Sequence, residues 1–81
     1  MDRGPQFWHG SDHEFNEGDT VEPGKEQGLA FASTNQDYAG VYGKGLYEVE
    51  PIGDDLWSIY PDSENPVHAS PNGFRVIKRH R

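Results

Sequence analysis

A chain of 81 residues, of which only 32% are hydrophobic, can form just a small core, so large aromatic side chains must fill it. It contains no cysteine, which excludes disulfides and thiolate metal sites, and its net charge of −7 argues against binding to the phosphate backbone of nucleic acid. An acidic surface that mimics nucleic acid is the alternative that this charge leaves open.

Short apolar runs separated by glycine and proline predict one domain over residues 1–81, α+β in class and mostly β. In 46–51, apolar and acidic residues alternate, which is the pattern of a half-exposed antiparallel strand. The one helical stretch, 34–43, can be capped by Thr34 or Asn35. We expect five or six strands. The predicted strands are 5–9, 20–21, 28–33, 46–51, 56–61 and 74–78, and 62–73 is predicted to form a loop.

The end of the chain is basic, since 75–81 holds four of the seven lysines and arginines. This tail is either a small anion-binding patch or a solvated strand end. The sequence shows no signal peptide, lipidation motif or long apolar segment, so we expect a cytoplasmic protein that does not contact a membrane.

The first predicted strand ends in His9, with a glycine and a hydroxyl directly behind it. This setting is typical of a ligand site, although a histidine that caps a strand end is the alternative. A metal site is a weaker interpretation, because zinc needs three or four convergent ligands and the break at 10–12 separates His9 from His13. We therefore expect no bound metal.

The order of these signals resembles the ADP-ribosyltransferase fold, and most closely the rifamycin ADP-ribosyltransferase family. Those enzymes open with Phe-Tyr-His-Gly-Thr where this chain has Phe-Trp-His-Gly-Ser at 7–11. A Gly-Asp pair follows in them, as it does here at 18–19, and a later strand ends in Val-Glu-Pro before a glycine and acidic residues, as in 49–55. A proline-containing stretch then enters an apolar strand, as in 71–77. The resemblance implies a minimal form of that fold: a small split sheet with one short helix.

The resemblance also implies that NAD, as substrate, binds in a cleft between two small sheets. His9 would hydrogen-bond a ribose hydroxyl, and the backbone of Gly10 would approach the nicotinamide carboxamide, because glycine has no side chain in the way. Ser11 would add a hydroxyl contact to ribose.

A tyrosine that packs on the nicotinamide is the second element that the resemblance implies. Alignment places Ala30 at that position and Phe31 one step further on, where alternation along a strand points it to the opposite face. The stacking ring is therefore either missing or supplied by Tyr38 or Tyr42 from the short helix. These three aromatic residues are candidate cofactor contacts, and the alternative is that they only fill the core.

The third implied element is an acid that stabilises the positive charge developing as the glycosidic bond of NAD breaks. Asp54 and Asp55 occupy the matching loop, with Glu64 more distant. We expect Asp54, together with His9, to be the catalytic residues.

The implied activity is cleavage of NAD to nicotinamide and transfer of ADP-ribose to a hydroxyl of a small molecule or to a protein side chain. A non-catalytic binding or inhibitor module on the same fold, with a protein or nucleotide partner, is the alternative. The short chain leaves little room for helices that shape an acceptor pocket, and would suit a phage or mobile-element gene.

Overall fold

The computed structural model describes residues 6–24, 28–59 and 67–81. It confirms an α+β fold that is mostly β: of the described residues, 47% lie in strands and 7 lie in one short helical segment. Within those ranges no helix is long and apolar enough to cross a membrane. The strands are β1 (Phe7–Ser11), β2 (Thr20–Val21), β3 (Ala30–Ser33), β4 (Gly45–Pro51), β5 (Trp57–Ile59), β6 (Val67–Ser70) and β7 (Phe74–Arg79), and helix α1 (Gln36–Ala39) continues into a 3₁₀ turn (Gly40–Tyr42).

All seven strands lie in a single antiparallel sheet in the order β2-β7-β4-β1-β3-β6-β5. Strand β4 lies between β7 and β1 and pairs with both along most of its length. By contrast, β1 and β3 share one pair in register, Trp8 with Ser33. The expected split into two small sheets is thus replaced by one sheet that is joined at its middle by this single pair.

The two faces of the sheet follow from the alternation of side chains along β1 and β4. On one face Phe7 and Val49 pack with Tyr47, Phe74 and neighbouring small residues in the main core. On the other face Trp8 and Leu46 are buried beneath Ala39 of α1. Because the helix covers only this second cluster, the main core depends on strand residues and on Phe15 and Leu56, which pack against it.

Strand β6 was predicted to be part of a loop, and that prediction is wrong. Its sequence, Val-His-Ala-Ser, alternates apolar and polar residues over only four positions, and in the structure β6 pairs with β3 on one side and with β5 on the other. The neighbouring strands therefore impose the extended conformation, as tertiary context often does for short segments. The strand total among the described residues is accordingly seven rather than five or six.

The predicted helix at 34–43 is shorter than expected, since α1 contains four residues. Asn35 caps it, because its side-chain Oδ1 accepts from the backbone N–H of Tyr38 at 3.2 Å. The chain then tightens into the 3₁₀ turn before Gly43. We call residues 36–42 the helical segment below.

Candidate functional site

A cavity of about 510 Å³ opens beside the single β1–β3 pair, a volume within the range of ligand pockets. Strand β1, strand β3 and the helical segment form its walls. The six residues proposed from the resemblance to contact NAD all line it: His9, Gly10, Ser11, Phe31, Tyr38 and Tyr42. The rest of the lining consists of Trp8, Asp12, Ala32, Ser33, Ala39 and Val67.

His9 spans the gap between β1 and β3. Its Nδ1 lies 2.8 Å from the carbonyl oxygen of Phe31, and a carbonyl only accepts, so Nδ1 carries the proton. Burial lowers the pKa of His9, and the hydrogen bond to Phe31 opposes that shift in part. The imidazole is therefore neutral at pH 7, with Nε2 as an acceptor. Tying two strands and offering Nε2 to a ligand are compatible roles.

Gly10 is where the helical segment packs most closely on β1. A Cβ at this position would lie well inside contact distance of the Ala39 carbonyl oxygen, so any side chain would push the helix away. The sequence suggested only a functional reason for this glycine. The close approach of α1 is a structural reason that no local pattern could reveal.

Ser11 ends β1, and its hydroxyl oxygen accepts from the backbone N–H of His13 at 3.0 Å. The hydroxyl hydrogen remains available, because this bond uses a lone pair of the oxygen. Ser11 can therefore donate to a ligand in the cavity while it holds the turn that follows the strand.

Tyr38 and Tyr42 stand one helical turn apart at the cavity. Their hydroxyls are 2.6 Å apart and their rings meet edge to face at 5.3 Å. The hydrogen bond between the two hydroxyls raises the pKa of Tyr38. Tyr42 is 60% exposed, so the alternative that it only fills the core is wrong. The pair presents aromatic surface and one spare hydroxyl hydrogen to whatever enters the cleft.

Ala30 and Phe31 point to opposite faces, as alternation predicted. Ala30 is buried in the main core, whereas Phe31 is partly buried and lines the cavity. No ring can therefore come from position 30, and the aromatic groups of the cleft are those of Trp8, Phe31 and the two tyrosines.

Asp54 is not among the residues that line the cavity. It is exposed in the turn after β4, where the N–H of Ile52 donates to the Gly73 carbonyl oxygen at 3.1 Å. Because β1 and β4 are antiparallel, Ser11 pairs with Gly45 at the start of β4, while Asp54 follows its end. The structure does not bring Asp54 together with His9, and its catalytic role stays a prediction. Asp55 is exposed in the same turn, and Glu64 lies outside the described residues.

Asp12 is the acid that does line the cavity, and sequence reasoning missed it. Its Oδ1 accepts from the backbone N–H of Lys44 at 3.0 Å, which fixes the carboxylate at the end of β1. The signal that could have identified it is its position directly after the His-Gly-Ser motif. In the described part of the chain, no three His, Asp or Glu side chains are grouped so that they could hold a metal ion.

Comparison of the chain with protein-family models, with curated proteins and with solved structures finds no match.

Proposed function

We propose that the protein binds NAD in the β1–β3 cleft and cleaves it, passing ADP-ribose to an acceptor. The observation that supports this most is that one cavity is lined both by the His-Gly-Ser motif at 9–11 and by the three candidates for the aromatic contact, Phe31, Tyr38 and Tyr42. They come from β1, β3 and the helical segment, so the fold had to bring three separate stretches of sequence together.

Each group has a chemical part in this proposal. The neutral His9 accepts a ribose hydroxyl at Nε2, and Ser11 donates to ribose. The backbone of Gly10 takes the carboxamide, while Tyr38 and Tyr42 pack on the nicotinamide ring. As the C1′–N bond breaks, its electron pair moves to the nicotinamide nitrogen and C1′ becomes oxocarbenium-like. A hydroxyl of a small molecule or a protein side chain then attacks C1′ and loses its proton to solvent.

The second candidate is a module that binds NAD or a related nucleotide without turnover. Two observations favour it: Ala30 lies in the main core, and Asp54 is outside the cavity lining. The cleft therefore lacks both the ring and the acid that the resemblance implies for catalysis at those positions.

Binding is tested by the thermal unfolding of the protein with and without NAD. At an NAD concentration about a hundred times the dissociation constant, binding adds about 2.7 kcal/mol to the free energy of unfolding, which raises Tm measurably. His9→Ala should remove most of this shift. His13→Ala is the matched control, since His13 is exposed and does not line the cavity. If millimolar NAD leaves the wild-type Tm unchanged, neither candidate holds.

Turnover is tested with NAD labelled separately in the nicotinamide and the adenosine. Release of labelled nicotinamide supports the transferase, and the adenosine label then identifies the acceptor. A Tm shift without nicotinamide release supports the second candidate instead. Where nicotinamide is released, the role of Asp54 as the acid that stabilises the developing positive charge predicts that Asp54→Asn slows release by about 10²–10³-fold. Asp55→Asn should leave the rate of release unchanged.

A further inference from the structure

We propose that Asp12 makes the cleft selective for a positively charged aromatic ring. This inference rests on the proposed function, because the nicotinamide ring of NAD is such a cation and that of NADH is neutral. It assigns Asp12 a role in substrate specificity, separate from the residues through which the resemblance placed NAD.

The charge of the residues that line the cleft favours a cation. Among the described residues that line the cavity, Asp12 is the only acid, and none is a lysine or arginine. His9 is neutral because burial lowers its pKa. Those described residues therefore bring one fixed charge to the cleft, the Asp12 carboxylate, within a chain of net charge −7. A cation is attracted to this site and an anionic ring is repelled.

The Asp12 carboxylate is both held in place and accessible to a ligand. Oδ1 is held by the Lys44 N–H at 3.0 Å, and an ionised carboxylate still has Oδ2 and further lone pairs for a ligand. Asp12 is exposed, so a ligand can reach it. The bond to Lys44 positions the charge before the ligand arrives, which lowers the ordering cost of binding.

The aromatic side chains that line the cavity favour a flat, positively charged ring. Tyr38 and Tyr42 meet edge to face at 5.3 Å, and Tyr42 is largely exposed. Tyrosine faces attract cations through their negative π surface, and the effect adds to that of a nearby carboxylate. Trp8 and Phe31 supply apolar surface for the body of a flat ring. A neutral ring gains only the apolar contact with Trp8 and Phe31. A cationic ring also gains the attraction of the tyrosine faces and that of the Asp12 carboxylate.

The test uses two small rings that differ in charge: 1-methylnicotinamide, a cation, and nicotinamide, which is neutral. Titration of the ¹⁵N-labelled protein by NMR should show the cation bound about three- to tenfold more tightly, a preference that salt reduces. Asp12→Asn should at least halve the ratio and leave only the part that the tyrosine faces contribute, since asparagine keeps an oxygen for the Lys44 N–H and loses only the charge. Asp55→Asn changes the net charge equally but lies outside the cavity lining, so it should preserve the preference. Equal affinities for the two rings in the wild type, or an affinity ratio that Asp12→Asn leaves unchanged, overturn the proposal.

A second arm separates this inference from the proposed function by comparing NAD with NADH. Tighter binding of NAD that is lost in Asp12→Asn supports both. Equal binding of NAD and NADH overturns the selectivity and leaves the NAD site standing. An Asp12-dependent preference for 1-methylnicotinamide without any NAD binding supports the selectivity and removes the proposed function. If none of the four compounds binds, the proposal for Asp12 is overturned.

Discussion

At Gly10 the backbone of β1 lies so close to the Ala39 carbonyl that no side chain fits between them. Gly10→Ala should therefore lower the free energy of unfolding by about 1–3 kcal/mol, because the helical segment must shift to admit a methyl group. Urea denaturation of both proteins measures this change. Gly24→Ala is the control, since its Cβ would lie 3.8 Å from the nearest atom, the Leu29 carbonyl oxygen, and it should change stability by less than about 0.5 kcal/mol. Equal losses of stability at the two positions would contradict the explanation that position 10 requires glycine because the Ala39 carbonyl lies so close.

His9 makes stability depend on pH. Burial places its folded-state pKa below the ordinary 6.5, so between these two values the unfolded chain binds more protons than the folded one. Stability is therefore complete above about pH 6.5 and is lost as the pH falls through the folded-state pKa. Urea denaturation should give a lower free energy of unfolding at pH 5.5 than at pH 7.5. The pKa of His68 is also lowered by burial, so His9→Gln should reduce this difference without abolishing it. A pH difference that is unchanged in His9→Gln would show that His9 does not cause it.

The same protonation acts on the ligand. Imidazolium has a proton on both nitrogens, so Nε2 can no longer accept a ribose hydroxyl. NAD affinity in the wild type should fall over the same acidic range, measured by calorimetry at the two pH values. His13→Ala should show the same fall, because His13 does not line the cavity.

The helical segment is short, and side chains from outside the helix hold both of its ends. Asn35 caps the start, while the Arg81 guanidinium donates to the carbonyl oxygens of Gly40 at 2.8 Å, Gly43 at 2.9 Å and Lys44 at 3.1 Å. A basic side chain is well suited here, since the last carbonyls of a helix have no partner within it. The basic tail of the sequence thus includes a residue that fixes the wall of the cavity.

Arg81→Ala should destabilise the protein by about 1 kcal/mol and weaken NAD binding, because the turn that carries Tyr42 loses its bonds to Arg81. Urea denaturation and calorimetry measure the two effects. The control is Arg75→Ala, which removes one exposed ion pair, to Glu50 at 4.0 Å, and should cost less than about 0.5 kcal/mol. Were Arg75→Ala to weaken NAD binding as much as Arg81→Ala, the effect would be one of net charge rather than of the helical segment.

How far the sequence predicts these elements depends on where their stabilising contacts lie. The half-exposure expected for 46–51 is wrong, since Leu46 to Val49 are all buried, Glu48 included, with one face in the main core and the other in the cluster of Trp8, Leu46 and Ala39. Strand β4 was nevertheless predictable as a strand from its own alternation, and α1 because Asn35 caps it locally. Strand β6 was not, since its stability comes from pairing with β3 and β5. The site shows the same difference between local and distant contacts. Its His-Gly-Ser motif is contiguous and was therefore visible in the sequence. The Lys44 bond that fixes Asp12 joins residues 32 positions apart, which no local pattern shows.

At the scale of the whole molecule, the sheet is weakest where the site lies. Strands β1, β4 and β7 are paired over several residues each, whereas β1 and β3 share one pair and the His9–Phe31 hydrogen bond. A ligand in the cleft contacts both β1 and β3. NAD binding is therefore expected to join the two halves of the sheet, in addition to stabilising the folded state.

Hydrogen exchange tests this expectation. In the free protein, amides of β4 and β7 should exchange only through global unfolding, while those of β3 and β6 should exchange faster, through an opening that separates them from β1. Saturating NAD should slow exchange in β3 and β6 more than in β4 and β7, because the ligand must leave before the halves can part. In His9→Gln this added protection should fall, since Nε2 no longer holds the ribose. Uniform protection in the free protein, or an equal slowing in both halves with NAD, would contradict the single β1–β3 pair as the weak point of the sheet.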